Sequence, residues 1–155
     1  MKKFLILLFF SFVLLSGYAQ VSKNSEGLYV NENGTLFTGK LNQKLENAQS
    51  LEVNIVDGKE EGSVTYFYAS GKTMEKGKFS KGLKEGEWIR FSENGNTIGI
   101  ANYLFGKKHG EWLVYGETGN KLFEMRYENG EKAGNWKQYD IAGKLIHSYD
   151  YTVRN

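Results

Sequence analysis

Apolar positions in this chain recur on two scales. Over short stretches they alternate with polar ones, the two-residue period of a half-buried strand. Val53 and Ile55, Ala101 and Tyr103, and Met125 and Tyr127 take one parity; Lys76 and Lys78, Glu124 and Arg126, and Ser148 and Asp150 take the other. Over longer distances the whole pattern returns every 24 residues. Gly62, Gly86, Gly110 and Gly134 keep that step, as do Gly71, Gly95, Gly119 and Gly143, and again Gly58, Gly82, Gly106 and Gly130. Large side chains keep it too: Trp88, Trp112 and Trp136, with Val64 in the equivalent place; Phe67, Phe91, Tyr115 and Tyr139; Ile55, Phe79, Tyr103, Tyr127 and Tyr151. A fixed period of this length marks a repeat architecture.

Each unit predicts two short strands and two glycine turns. In the unit starting at Gly86 the first strand covers about Glu87 to Ser92, and Asn94-Gly95 supplies a pair favoured in tight hairpins. The second strand runs from about Thr97 to Leu104, and Gly106 to Gly110 turn the chain into the next unit. The turn glycines are expected at positive φ. Trp88 and Phe91 are three apart and cannot share a face of a regular strand, so either a bulge corrects the parity or both faces are partly covered. One hairpin is marginal in water, so the units must stack, each covering its neighbour's apolar face. The predicted fold is therefore all-β: an elongated antiparallel sheet of stacked β-hairpins. Each buried aromatic ring contributes about 1.5–3 kcal/mol, which makes the columns the main cohesive term. Residues 20–61 read as a lead-in and an atypical capping repeat, and 62–155 as regular repeats with a truncated C-terminal cap.

At the other end, Lys2 and Lys3 precede the uncharged run Phe4 to Leu15 and the small residues Gly17 and Ala19. This predicts a secretory signal peptide over 1–19, cut before Gln20, with an uncleaved anchor as the alternative. The expected location is the periplasm, the envelope or outside the cell, with no stable membrane span after cleavage. Without those two lysines the chain carries 18 basic and 18 acidic side chains. Such a balance argues against nucleic acid as a partner, since that needs a phosphate-neutralising face. No cysteine is present, which excludes disulfides, thiolate metal sites, catalytic thiols and a lipoprotein anchor.

The segments "GEWIRFSENGN", "NYLFGKKHGEWLVYGETGN" and "RYENGEKAGNWKQYDIAGK" resemble the bacterial variant of the MORN repeat (membrane occupation and recognition nexus), found in proteins often labelled YwqK-like antitoxins. The opening "GLYVNENGTLFTGK" is similar to the lead-in of such proteins. The resemblance covers about Leu28 to Tyr151. It implies a curved sheet of stacked hairpins, no enzymatic activity, no cofactor, and contacts with proteins or, in eukaryotic relatives, membranes. The export signal departs from a cytoplasmic antitoxin.

No catalytic constellation stands out. His109 and His147, the only histidines, fall in different columns, and His109 replaces the Glu85 and Ala133 of its neighbours, as a solvated turn residue would. Glu85 with Glu87, and Glu111 with Glu117, could suggest a glycosidase acid and base, but they lie beside lysines at turns and read as surface charge. Two columns remain as a candidate interaction surface. Lys84, Lys108 and Lys132 form a basic stripe, read either as solvated turn residues or as a contact for acidic groups. Trp88, Trp112 and Trp136 read as core, or as a groove that stacks sugar rings. The first expectation is a non-catalytic scaffold for another protein. The alternatives are a carbohydrate or cell-wall binding module and an antitoxin-like partner of a toxin.

Overall fold

The computed structural model describes residues 20–152; the predicted leader lies outside the described residues. Thirteen strands follow one another: β1 (Ser22–Lys23), β2 (Tyr29–Val30), β3 (Gly39–Lys44), β4 (Ser50–Val56), β5 (Lys59–Phe67), β6 (Thr73–Ser80), β7 (Leu83–Phe91), β8 (Thr97–Leu104), β9 (Lys107–Lys108), β10 (Gly110–Tyr115), β11 (Lys121–Glu128), β12 (Glu131–Tyr139) and β13 (Leu145–Asp150). The first two form a small separate ribbon, and the rest form one 11-stranded sheet. Each long strand pairs antiparallel with the one before it, so the chain is a continuous meander from β3 at one edge to β13 at the other. Ten strands side by side at ~4.8 Å give a sheet roughly 40 Å long.

Two turn types alternate along it. At one end of the strands the pairs Asp57-Gly58, Lys81-Gly82, Phe105-Gly106 and Asn129-Gly130 have positive φ at both residues. That is the backbone of the two-residue type I′ hairpin, whose twist matches that of the strands. At the other end the Gly95 N–H donates to the Ser92 carbonyl at 2.9 Å, and the Ser92 N–H to the Asn96 carbonyl at 2.8 Å. Gly95 has φ +87° there, whereas Asn94 is not in the left-handed region. Asn94-Gly95 is thus the end of a three-residue loop closed by a glycine bulge and not the tight pair its sequence suggests.

A second difference concerns the column Gly62, Gly86, Gly110 and Gly134. These glycines have positive φ, but they lie within or at the start of strands instead of in the turns. Lys76 pairs with Ile89 and Lys78 with Glu85, so β7 spans four residues where β6 spans two. The surplus forms a bulge at Gly86, and β7 starts at Leu83, four residues before the strand read from the sequence.

The parity question resolves in favour of two used faces. Trp88 pairs with Ala101 and packs on Phe79 and Tyr103, whereas Phe91 lies under Lys76, the neighbour of Ile89 on the opposite side. The ladder slip near Phe91 falls on β8, where Ile98 is passed over. The Trp88 side is called the inner face below and the Phe91 side the outer face.

Burial on the inner face is graded. In β4 the pattern is ideal: Leu51, Val53 and Ile55 are buried while Glu52, Asn54 and Val56 are exposed. The lead-in folds back over this end, adding Tyr29, Val21 and Phe37 to a cluster of Leu41, Leu51, Val53, Ile55, Val64 and Trp88. Beyond Trp88 no segment of the described chain covers the inner face in this way. Trp112 and Trp136 are half-buried, and every residue of β13 is exposed. Among the described residues the face expected to be buried throughout is therefore fully buried only at its N-terminal end, where the lead-in folds back over it.

Candidate functional site: an aromatic and lysine ladder on the open inner face

Alternate strands contribute alternate rungs. The bulges leave Trp88 on β7, Trp112 on β10 and Trp136 on β12 facing inward, with Tyr103 on β8, Tyr127 on β11 and Tyr151 just past β13 between and beyond them. Trp88 to Tyr103, Tyr103 to Trp112, Trp112 to Tyr127, Tyr127 to Trp136 and Trp136 to Tyr151 have ring centroids 6.1, 5.2, 5.3, 5.1 and 5.0 Å apart. The planes are strongly inclined: the first three contacts have the edge-to-face geometry preferred by ring quadrupoles, and the last two are tilted. Phe79 extends the run toward the core, 5.1 Å from Trp88.

The lysine column belongs to the same ladder. Lys84 Nζ lies 3.7 Å from the Trp88 ring centre and 5.0 Å from that of Tyr103. Lys108 sits 4.5 and 4.8 Å from Trp112 and Tyr127, and Lys132 sits 4.5 and 4.9 Å from Trp136 and Tyr151. Each ammonium thus lies against the electron-rich faces of one tryptophan and one tyrosine. The two columns that the sequence presents as separate candidates are brought together by the fold. The four-residue spacing from Lys84 to Trp88 preserves parity, which is the signal that could have joined them.

Exposure separates the three repeats. Trp88 is 1% exposed, so it belongs to the core and is removed from the candidate contact surface. The indole N–H groups of Trp112 and Trp136 donate to the carbonyls of Asn102 and Arg126 at 2.9 Å, which fixes the ring orientation. Trp88 Nε1 is buried without such a partner.

Among the other candidates, His109 is half-buried with its Nδ1 unpartnered, which departs from the solvated turn residue expected, and Glu85 has a structural role. Glu85 accepts from the Phe105 N–H at 2.9 Å and Glu61 from the Lys81 N–H at 2.7 Å, each clamping the next type I′ turn. Thr38 Oγ1 does the same for the Asp57 N–H at 2.9 Å. On the outer face Glu124 is held 3.1 Å from both Lys121 and Lys137, and its carboxyl lies below the usual carboxylate range because those ammonium groups hydrogen-bond it. Among the described residues no cluster of three or more His, Asp or Glu side chains could hold a metal ion. Nor is any described helix long and apolar enough to cross a membrane.

One feature of the inner face does not stand out in the sequence. Between Trp88 and Trp112 the strand β8 carries Gly99 and Ala101, and their small size opens a trough of about 390 Å³. Trp112 and Tyr103 line it together with Arg90, Glu75 and Val114. One repeat later the same two columns hold Phe123 and Met125. A side chain at Gly99 would meet nothing nearer than Arg90 Cβ at 3.7 Å and the Leu113 carbonyl at 3.8 Å, both ordinary contacts. The backbone therefore does not demand glycine at this position. Arg90 lies across the strand pair from Glu75, and Glu75 accepts from Lys84 at 3.5 Å.

Tyr66, beside this site and 6.5 Å from Trp88, has its phenol pushed up to about 12, first by burial and then by the nearby charge of Glu75. In the unfolded chain the group titrates near 10. Between those values the unfolded state gives up a proton that the folded state keeps, so stability is complete below about pH 10 and falls as pH rises toward 12. A Tyr66→Phe variant should show a shallower loss of urea stability over that interval than the parent chain.

The chain matches no protein-family model, and no curated protein matches it.

Proposed function

We propose that this protein is an exported, non-catalytic repeat scaffold of the bacterial MORN-variant type, which holds another protein of the cell envelope on its inner sheet face. The observation that supports this reading is the one-sided opening of the ladder. The same column of residues is sealed at Trp88 and half-buried at Trp112 and Trp136, leaving a long aromatic surface edged by Lys108 and Lys132. Tryptophan and tyrosine are the residues that most often dominate protein interfaces, and a repeat stack offers them in a row. The lysines favour a partner with an acidic patch.

Crosslinking pull-down from envelope extract tests the reading, with the protein purified from the fraction where it accumulates. The expected result is one or a few proteins captured above the background of a Trp112→Ala/Trp136→Ala variant. Equal capture by parent and variant contradicts it. N-terminal sequencing of the fractionated protein tests the export step separately: a chain beginning at Gln20 outside the cytoplasm is expected, and an unprocessed cytoplasmic chain argues for the antitoxin-like alternative.

A second reading, carbohydrate binding, is favoured by the trough between Trp88 and Trp112. Its size lies in the range of small-molecule sites, and it combines aromatic walls with a few polar groups at the rim.

A further inference from the structure

We propose that the trough on β8 binds a single pyranose unit bearing a carboxylate, within an acidic glycan. The inference deepens the carbohydrate reading and does not depend on the protein-scaffold one. Three observations carry it. First, the neighbouring repeats close the equivalent space, the next one with Phe123 and Met125 in the corresponding columns and the preceding one with Glu75 and with the Trp88 indole packed on Gly77. Second, neither φ nor a close contact explains glycine at position 99; this distinguishes it from Gly77, where a side chain would run into the Trp88 indole at 2.3 Å. A strand interior with a free choice ordinarily favours a larger residue, so the absence of one leaves room for something else.

Third, the lining has the chemistry of sugar recognition. Trp112 and Tyr103 provide apolar ring surface for the C–H face of a pyranose, and Val114 continues it. Glu75 can accept from ring hydroxyls. Arg90 is exposed, and among the described residues its guanidinium takes part in no ion pair, so its planar fork is available to a carboxylate. With Glu75 already matched by Lys84, Arg90 leaves the site with an uncompensated positive charge, which complements an acidic sugar over a neutral one.

Calorimetric titration of the full chain with oligogalacturonate tests this, with the methyl-esterified oligomer as the uncharged control and poly-glutamate as a polyanion without rings. Binding is expected for the first, at least about tenfold weaker for the second, and absent for the third. Ala101→Met fills the trough with the residue that the next repeat carries, so the fold should tolerate it; thermal melting checks that. It should abolish sugar binding, and Arg90→Gln should reduce it about tenfold or more. No binding of the acidic oligomer, equal binding of the ester or of poly-glutamate, or full binding by folded Ala101→Met would each overturn the proposal. Protein capture in the pull-down is read independently, so loss of sugar binding with capture intact leaves the scaffold reading standing.

Discussion

Replacement of Trp88 by alanine is expected to destabilise the protein by about 3–5 kcal/mol, enough to remove much or all of the stability of a domain this size. The indole is 1% exposed, meets Phe79 edge-on at 5.1 Å and Tyr103 at 6.1 Å, and is capped by Lys84 at 3.7 Å. It also joins the core under the lead-in to the open part of the sheet. Its removal therefore leaves a cavity at the junction of the two. Trp136→Ala deletes the residue of the same column but from a half-buried position, so a loss of about 1–2 kcal/mol is expected. Urea unfolding followed by far-UV circular dichroism checks both. Similar losses for the two variants would mean that burial is not graded along the ladder.

The second large effect is at Gly77. A Cβ there would lie 2.3 Å from Cδ2 and 2.4 Å from Cε2 of Trp88, and the indole is boxed in by Phe79 and Tyr103. The position is in ordinary extended backbone, so the penalty comes from the ring and not from φ. Gly77→Ala should cost about 1–3 kcal/mol, as overpacking does. Gly99→Ala, also in a strand interior, should be neutral or slightly stabilising, because its Cβ meets nothing closer than 3.7 Å. In a Trp88→Phe background the smaller ring gives the new methyl room, so Gly77→Ala should cost less than in the parent. A double-mutant cycle measures that coupling. Independent, additive losses would show that the two residues do not share one space.

The columns behind both effects are legible in the sequence because a strand's side-chain period is short and the repeat's is fixed. Periodicity alone places Tyr103, Tyr127 and Tyr151 on one face with Ala101 and Met125. The glycine column Gly62, Gly86, Gly110 and Gly134 is harder. Positive φ serves a turn and a bulge equally well, and only the pairing of Lys76 with Ile89 and Lys78 with Glu85 shows which applies. The return of the lead-in over β4 is also hidden, since Tyr29 and Val21 lie outside the repeat and periodicity says nothing about what covers them. The trough escapes for a related reason. Gly99 and Ala101 sit in columns that change from repeat to repeat, Glu75 and Gly77 before them and Phe123 and Met125 after, and recurrence draws attention to what repeats.

A single sheet held by a ladder that is sealed at one end and open at the other should open unevenly along its length. Residue-resolved amide hydrogen exchange of the folded protein tests this most directly. Protection should be greatest in β4 to β7, decline through β8, β10 and β11, and be least in β13. Uniform protection across all the strands, or strongest protection in β13, would contradict it.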